Sequence, residues 1–361
     1  MRQTRIGVIG AGFWAAQNYL PFFRDHSDVE LVGVVRKTAD GLAEFKRAFE
    51  LEVATTSVEE LLSASLDGVV VTSPQSIHRD HAIAALEAGT HVIVEKPMTV
   101  MFADARAIAE AASRAQRLAS IAYGWNYSRM AIWAKDILSS GTIGALTSVS
   151  GHMASSLTDL FSGRSGYGVL DVSGFAVEAE PDTWARVGAG GGYLYGQLSH
   201  LLGLAAWLVP SEPEEVFARA RFLENGVDID TQVSVQFADG LIGSFSGQGH
   251  MPWAMGPTAL LRISGEHGVL TLDFEHDRAD LLVQGNKAKG EVIRREPEPP
   301  VAVGEGAYTC HGPPAMLIDL CRGHEVVDRA PVAVGVRTVA IMEAAWRSAT
   351  AGGSVRISEL E

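Results

Sequence analysis

The apolar run Ile6-Gly-Val-Ile9 leads straight into Gly10-Ala-Gly12-Phe-Trp-Ala15, and a helical pattern follows over residues 13–24. A strand that enters a glycine turn and then a helix builds a pyrophosphate site for a dinucleotide. Gly10 permits the tight turn. Gly12 lets backbone N–H groups approach a phosphate with no Cβ in the way, and the small Ala15 lets the helix lie close on the sheet. The helix N-terminus adds partial positive charge and free donors.

The first third of the chain repeats this unit. Apolar strands are expected at 5–9, 29–35, 67–72, 90–94 and 118–122, with helical patterns between them, as at 80–88 and 103–115. Continuous apolar strands alternating with small-faced helices predict a doubly wound parallel α/β sheet. Ligands of such sheets sit beyond the C-terminal strand ends. Gly10, Arg36, Thr72 to Pro74 and Glu95 to Pro97 all fall at that edge. The string Glu95-Lys96-Pro97, after His91-Val-Ile-Val94, puts a lysine where a nicotinamide would lie. The two strings together point to a nicotinamide-dependent oxidoreductase.

Past Ala122 the pattern changes. A helix at 129–139 leads to a strand at 146–152, a loop-rich insert at 155–191 and a helix from about 193 to 208. Strands are expected at 215–223, 231–237, 241–247, 259–264, 269–274 and 280–283, with turns at Ala238-Asp-Gly240 and Gly265-Glu-His-Gly268. Two late helices, near 314–322 and 335–351, are expected to pack back on the first domain. The reading is a Rossmann domain over 1–122 and an α+β domain over 123–361, built on an open-faced, mainly antiparallel sheet.

A net charge of −14 over 361 residues argues against nucleic acid or an anionic membrane as main partner, since both call for a basic surface. No apolar stretch reaches membrane-spanning length and no signal-type segment precedes the first strand. Two cysteines, Cys310 and Cys321, fit a reduced, cytoplasmic chain and lack the spacing of a metal knuckle. No metal site is expected. Cys310-His311 reads as a small buried thiol beside a loop histidine rather than a reactive pair.

The order of signals resembles the glucose-fructose oxidoreductase/inositol dehydrogenase (Gfo/Idh/MocA) family. The matching pieces are Gly10-Ala-Gly12-Phe-Trp-Ala15, Val71-Thr-Ser-Pro74 with His78, and the stretch from Ala85-Leu-Glu-Ala-Gly89 through Glu95-Lys96-Pro97. Ser140-Gly-Thr-Ile-Gly144, Gly190-Gly-Gly192 with His200, and Ser264-Gly-Glu-His-Gly268 match as well. The resemblance implies that Lys96 stands near the substrate hydroxyl and the nicotinamide, with Pro97 taking a cis bond. It implies catalytic roles for Lys96 and His200. It also implies a C-terminal sheet that binds substrate and joins subunits into a homodimer or homotetramer.

In the family an aspartate precedes the histidine by four residues. Here that position is Gly196, and a second acidic position, three after the histidine, is Gly203. Residues three or four apart on a helix share a face, so Tyr193, Gly196, Gln197 and His200 form one stripe. Gln197 and Tyr193 are therefore candidates for substrate binding. The insert carries Asp159, Arg164, Tyr167, Asp171, Asp182 and Trp184, of which Arg164 and Tyr167 are the chosen substrate contacts.

For the cofactor, the contact set is Gly10, Gly12, Phe13, Trp14, Arg36, Thr72, Ser73, Pro74, His78, Glu95 and Lys96. The second strand ends in Val34-Val-Arg36-Lys37-Thr38, with no acid to bind a ribose hydroxyl and an arginine able to meet a 2′-phosphate. NADP is expected in preference to NAD. The leading function is an NAD(P)-dependent dehydrogenase or reductase acting on a sugar, polyol or related hydroxy or carbonyl compound. The alternatives are a closed-cycle isomerase or lyase that keeps its cofactor, and a non-catalytic cofactor-binding regulatory protein.

Overall fold

Six strands, β1 (Thr4–Ile9), β2 (Val29–Val35), β3 (Val53–Thr55), β4 (Gly68–Val71), β5 (His91–Val94) and β6 (Ala119–Ile121), pair in parallel in the order β3-β2-β1-β4-β5-β6. The computed structural model describes residues 2–164, 168–179 and 182–360. Helices on both faces bury these strands, which is why they read as unbroken apolar runs. The strand order reverses between β1 and β4, so Gly10 and Thr72 face each other across the switch point. Sequence reading missed β3, a three-residue edge strand that is only partly buried.

The remaining strands are β7 (Leu146–Ala154), β8 (Val169–Val172), β9 (Phe175–Glu178), β10 (Pro213–Phe222), β11 (Asp228–Phe237), β12 (Ile242–Gln248), β13 (Thr258–Gly265), β14 (Gly268–Asp273), β15 (Arg278–Gln284), β16 (Val292–Arg295) and β17 (Val355–Arg356). Nine of them form a sheet in the order β16-β15-β14-β13-β7-β12-β11-β10-β17. Its pairs are antiparallel except β7–β12. Side chains alternate: Val233, Val235 and Phe237 are buried, while Gln232, Ser234 and Gln236 are exposed. Burying each such apolar side chain contributes roughly 1.5–3 kcal/mol. The buried face is covered by helices Ser199–Leu208 and Val332–Ala351. The latter also packs on helix Phe102–Ala115, where Glu343 accepts the Phe102 N–H. Helix Gly312–Cys321 lies against β4 and β5, with Leu317 filling the space beside Gly68.

Two sequence expectations need correction. The insert is not merely loop: it holds the hairpin β8–β9 and the short helices Thr158–Phe161 and Asp182–Ala185. The helix expected from 193 begins with a π turn, Leu194–Leu198, before the regular helix Ser199–Leu208. The wider turn breaks the 3.6-residue spacing on which the Tyr193–His200 stripe was built. Among the described residues, no helix is long and apolar enough to cross a membrane.

Candidate active site

The first wall of the site is backbone-built. Gly10 has φ +99°, and a Cβ there would stand 2.3 Å from the Ser73 nitrogen. No other residue fits, and the Thr72 hydroxyl donates to the Gly10 carbonyl at 2.9 Å to lock the approach. Gly12 is different. A Cβ there would meet only the Gly10 carbonyl, at 3.9 Å, so packing within the protein does not call for a glycine. What Gly12 leaves clear is the cavity in front of helix Phe13–Arg24, whose first turn has no side-chain cap and no acidic residue. That cradle fits a pyrophosphate.

At the end of β5, Glu95 turns its carboxylate into the protein. Oε1 accepts from Trp14 Nε1 and from the Tyr19 hydroxyl, each at 2.7 Å, and Oε2 accepts the Lys96 N–H at 2.8 Å. Lys96 is buried and its peptide to Pro97 is cis. Its Nζ donates to the Gly196 carbonyl at 3.1 Å and lies 5.5 Å from the centroid of the Trp184 ring. Burial lowers the lysine's pKa, and the Glu95 charge works against that lowering. His78 lies behind the lysine, with Nδ1 3.1 Å from both the Pro97 and Met98 carbonyls and Nε2 2.6 Å from the Ser73 carbonyl. Burial lowers its pKa to about 4, so the ring is neutral and only one nitrogen donates at a time. Ser73 in turn meets His81 Nδ1 at 2.9 Å.

The opposite wall comes from the insert and the helix that follows it. The Gly192 N–H donates to the Trp184 carbonyl at 3.0 Å, and a Cβ on Gly191 would collide with that carbonyl at 2.4 Å. These two glycines let Trp184 sit over Lys96. Both missing carboxylate positions are filled by rings. A Cβ on Gly196 would lie 2.9 Å from Phe161 and 3.3 Å from Trp184, and one on Gly203 would lie 2.6 Å from Tyr123. His200 is buried, its ring edge-on to Tyr308 at 4.5 Å and to Trp125 at 5.7 Å. Burial, aided by the nearby Lys96 charge, holds its pKa well below the usual histidine range. Nδ1 has no hydrogen-bond partner among the described residues.

One cavity of about 520 Å³ joins the two walls. Residues 10 and 12–14, Arg36, 72–74, His78, Glu95, Lys96, Gln197 and His200 all line it. Two candidates do not enter this constellation. Tyr193 is fully buried behind the cavity, its hydroxyl 3.0 Å from Ser155 Oγ and its ring against Gly247 of β12. Arg164 is exposed and paired with Asp159 at 2.9 Å. Tyr167 lies outside the described residues. Arg36 lines the cavity with its guanidinium against the Phe45 and Phe175 rings, at 4.5 and 5.2 Å from their centroids. Its Nε donates to the Asp40 carbonyl at 3.1 Å and its Nη1 to the Ala11 carbonyl.

Sequence reasoning missed Phe161, Trp125 and Tyr308, aromatic residues scattered along the chain with no local motif. It also missed Asp228, whose buried carboxylate accepts the Leu194 N–H at 2.9 Å and the Thr231 hydroxyl at 2.6 Å. Burial lifts that carboxyl to about 6. Cys310 is buried and its thiol pKa is raised by burial, while His311 stacks on Phe22 at 4.8 Å. Among the described residues, no group of three His, Cys, Asp or Glu side chains is placed to hold a metal ion.

Residues 4–123 match the model of the oxidoreductase family with an NAD-binding Rossmann fold, and residues 132–271 match the GFO/IDH/MocA C-terminal domain. The chain is 30% identical to glucose-6-phosphate 3-dehydrogenase of Bacillus subtilis over 148 residues, 41% of each chain. It is 27% identical to 1,5-anhydro-D-fructose reductase of Ensifer adhaerens over 251 residues, covering 67% of this chain and 68% of that one. The chain spans about two fifths of the length of several curated relatives it matches. Levoglucosan dehydrogenase, solved with NADH, shares the fold at a TM-score of 0.76 and 20% identity over 99% of both chains. Its two matching domains and the arrangement of its strands make this chain a member of the GFO/IDH/MocA oxidoreductase family.

Proposed function

We propose that the chain is an NAD(P)-dependent oxidoreductase that moves a hydride between a nicotinamide and a CH–OH or carbonyl group of a sugar, polyol or related compound. The carrying observation is that one cavity holds the Gly10–Gly12 cradle at one end and Lys96 with His200 at the other. The relatives named above act on sugars and their derivatives. The nicotinamide, when bound, supplies the site that gives or takes the hydride.

The chain's own groups handle the proton. In oxidation, Lys96 Nζ takes the proton of the substrate hydroxyl, helped by a pKa that burial has lowered. Neutral His200 orients that hydroxyl, and Gln197 holds a neighbouring one. Burial of both Lys96 and His200 keeps bulk water from competing for the substrate's hydroxyl. In the reductive direction Lys96 returns the proton to the new alkoxide oxygen.

Arg36, with Lys37 and Thr38 beside it in the cavity lining, favours the 2′-phosphate of NADP. The division of labour falls near Ala122, with cofactor binding before it and substrate binding after it. Two free cysteines suit a cytoplasmic setting. The open, polar face of the nine-stranded sheet suits a homodimer or homotetramer, and the acidic chain suits neither nucleic acid nor membrane.

Lys96→Ala tests the central claim. Cofactor binding should persist while kcat falls by about 10²–10⁴-fold. A variant that keeps a tenth or more of the parental rate, roughly, removes Lys96 as proton carrier. For the cofactor, a charge-assisted contact with phosphate contributes roughly 1.5–3 kcal/mol. Parent protein should bind NADPH more tightly than NADH by titration, and Arg36→Ala should erase the difference. Equal parental affinities overturn the NADP assignment.

A further inference from the structure

The hairpin β8–β9 follows the parallel-sheet region in the sequence, within the stretch read as the second domain, yet it docks on the first. Val172 and Val177 are buried in the same apolar cluster as Phe13, at the start of the first helix, and Phe45, in helix Leu42–Ala48. On the outer side, Arg47 Nη2 donates to the Ser173 carbonyl at 2.7 Å. The Phe175 ring presses on Gly41, where a Cβ would lie 2.5 Å from it, and covers the Arg36 guanidinium. Residues 175–179 then line the cavity together with residues 10–14 and 36–38. The end of the cavity next to the glycine turn is roofed.

We propose that the β8–β9 hairpin is a built part of the dinucleotide site, roofing its adenosine half, so that a bound cofactor leaves only after the hairpin undocks. This rests on the reading of the cavity as a dinucleotide site. A two-stranded hairpin has little stability of its own. It holds its place through Val172, Val177, Phe175 and the Arg47 bond, so it can open without unfolding either sheet. An occupied cavity gives residues 175–179 a further surface to rest on, and the cofactor and the hairpin hold each other in place. Cofactor release is then a gated step, slow compared with its release from an open cleft. Arg36 is held by the same roof, because Phe175 supplies one of the two rings its guanidinium rests on.

The test uses the full chain loaded with NADPH, and separately with NADH, then mixed with excess oxidised dinucleotide while nicotinamide emission reports release. Val172→Ser and Arg47→Ala loosen the docking from outside the cavity lining, and Arg47 is exposed enough that its loss leaves the fold intact. Both should speed release by about tenfold or more while changing association far less. In the parent, hydrogen exchange over residues 169–178 should slow when NADPH binds. Unchanged release in both variants, with exchange showing the hairpin undocked, overturns the inference and leaves the oxidoreductase reading standing. A folded parent that binds neither dinucleotide overturns both.

Discussion

The two walls of the cavity are made in opposite ways. The wall carrying Lys96 is a set of strand ends whose geometry is fixed by backbone: Gly10 against Ser73, Thr72 on the Gly10 carbonyl, Glu95 on the Lys96 N–H. The wall carrying His200 is a set of side chains filling space: Phe161 and Trp184 at Gly196, Tyr123 at Gly203, Tyr308 and Trp125 around the imidazole. The first kind of wall tolerates almost no change of residue type. The second kind can be rebuilt, and here it holds rings where the family pattern has carboxylates.

Gly196→Asp strikes the second wall hardest. The new Cβ must displace the buried Phe161 ring, and overpacking of this kind costs typically about 1–3 kcal/mol. Thermal or urea denaturation should show that loss, and steady-state kinetics should show no gain in kcat. A variant as stable as its parent and faster would mean that the aromatic wall is only a placeholder for the family carboxylate.

Glu95→Gln probes the first wall through pH. The rate of oxidation should rise with pH as Lys96 Nζ loses its proton, below the 10.5 of an ordinary lysine. The Glu95 charge raises that pKa, so removing it should move the rising limb of kcat to lower pH. A limb that stays in place would show that another group titrates.

The smallest effect is expected at Gln197→Ala. An amide that binds ground state and transition state alike appears in KM, so KM should rise several-fold with kcat nearly unchanged. A fall in kcat alone would place Gln197 in the chemical step, and no change in either would make it packing.

What could be read from the chain divides along the same line. The parallel strands were visible because burial on both faces writes them as continuous apolar runs, and the glycine turn because its spacing is a backbone requirement. Lys96 and His200 were found through motifs, and the structure brings both to one cavity. Gly196 and Gly203 were visible as departures from a pattern, but not what fills the space: Phe161 and Tyr123 are distant in sequence and carry no local signal. The hairpin β8–β9 was read as loop because its anchors, Phe13 and Phe45, lie more than a hundred residues earlier. The π turn at Leu194–Leu198 carries no signal of its own, because the same residues fit the spacing of a regular helix.

The bond from Lys96 Nζ to the Gly196 carbonyl has a stereochemical consequence. An amine with one of its four tetrahedral directions taken by its own carbon and another committed to a carbonyl can aim its lone pair along only the other two, and the Trp184 ring stands close to one side. The lysine thus has a handedness relative to the cavity. A carbinol whose O–H bond points into the remaining arc can pass on its proton. Its epimer, bound in the same place, points the hydroxyl away. The chain's choice between mirror-related carbons would then be written in a single carbonyl of a residue that has no side chain.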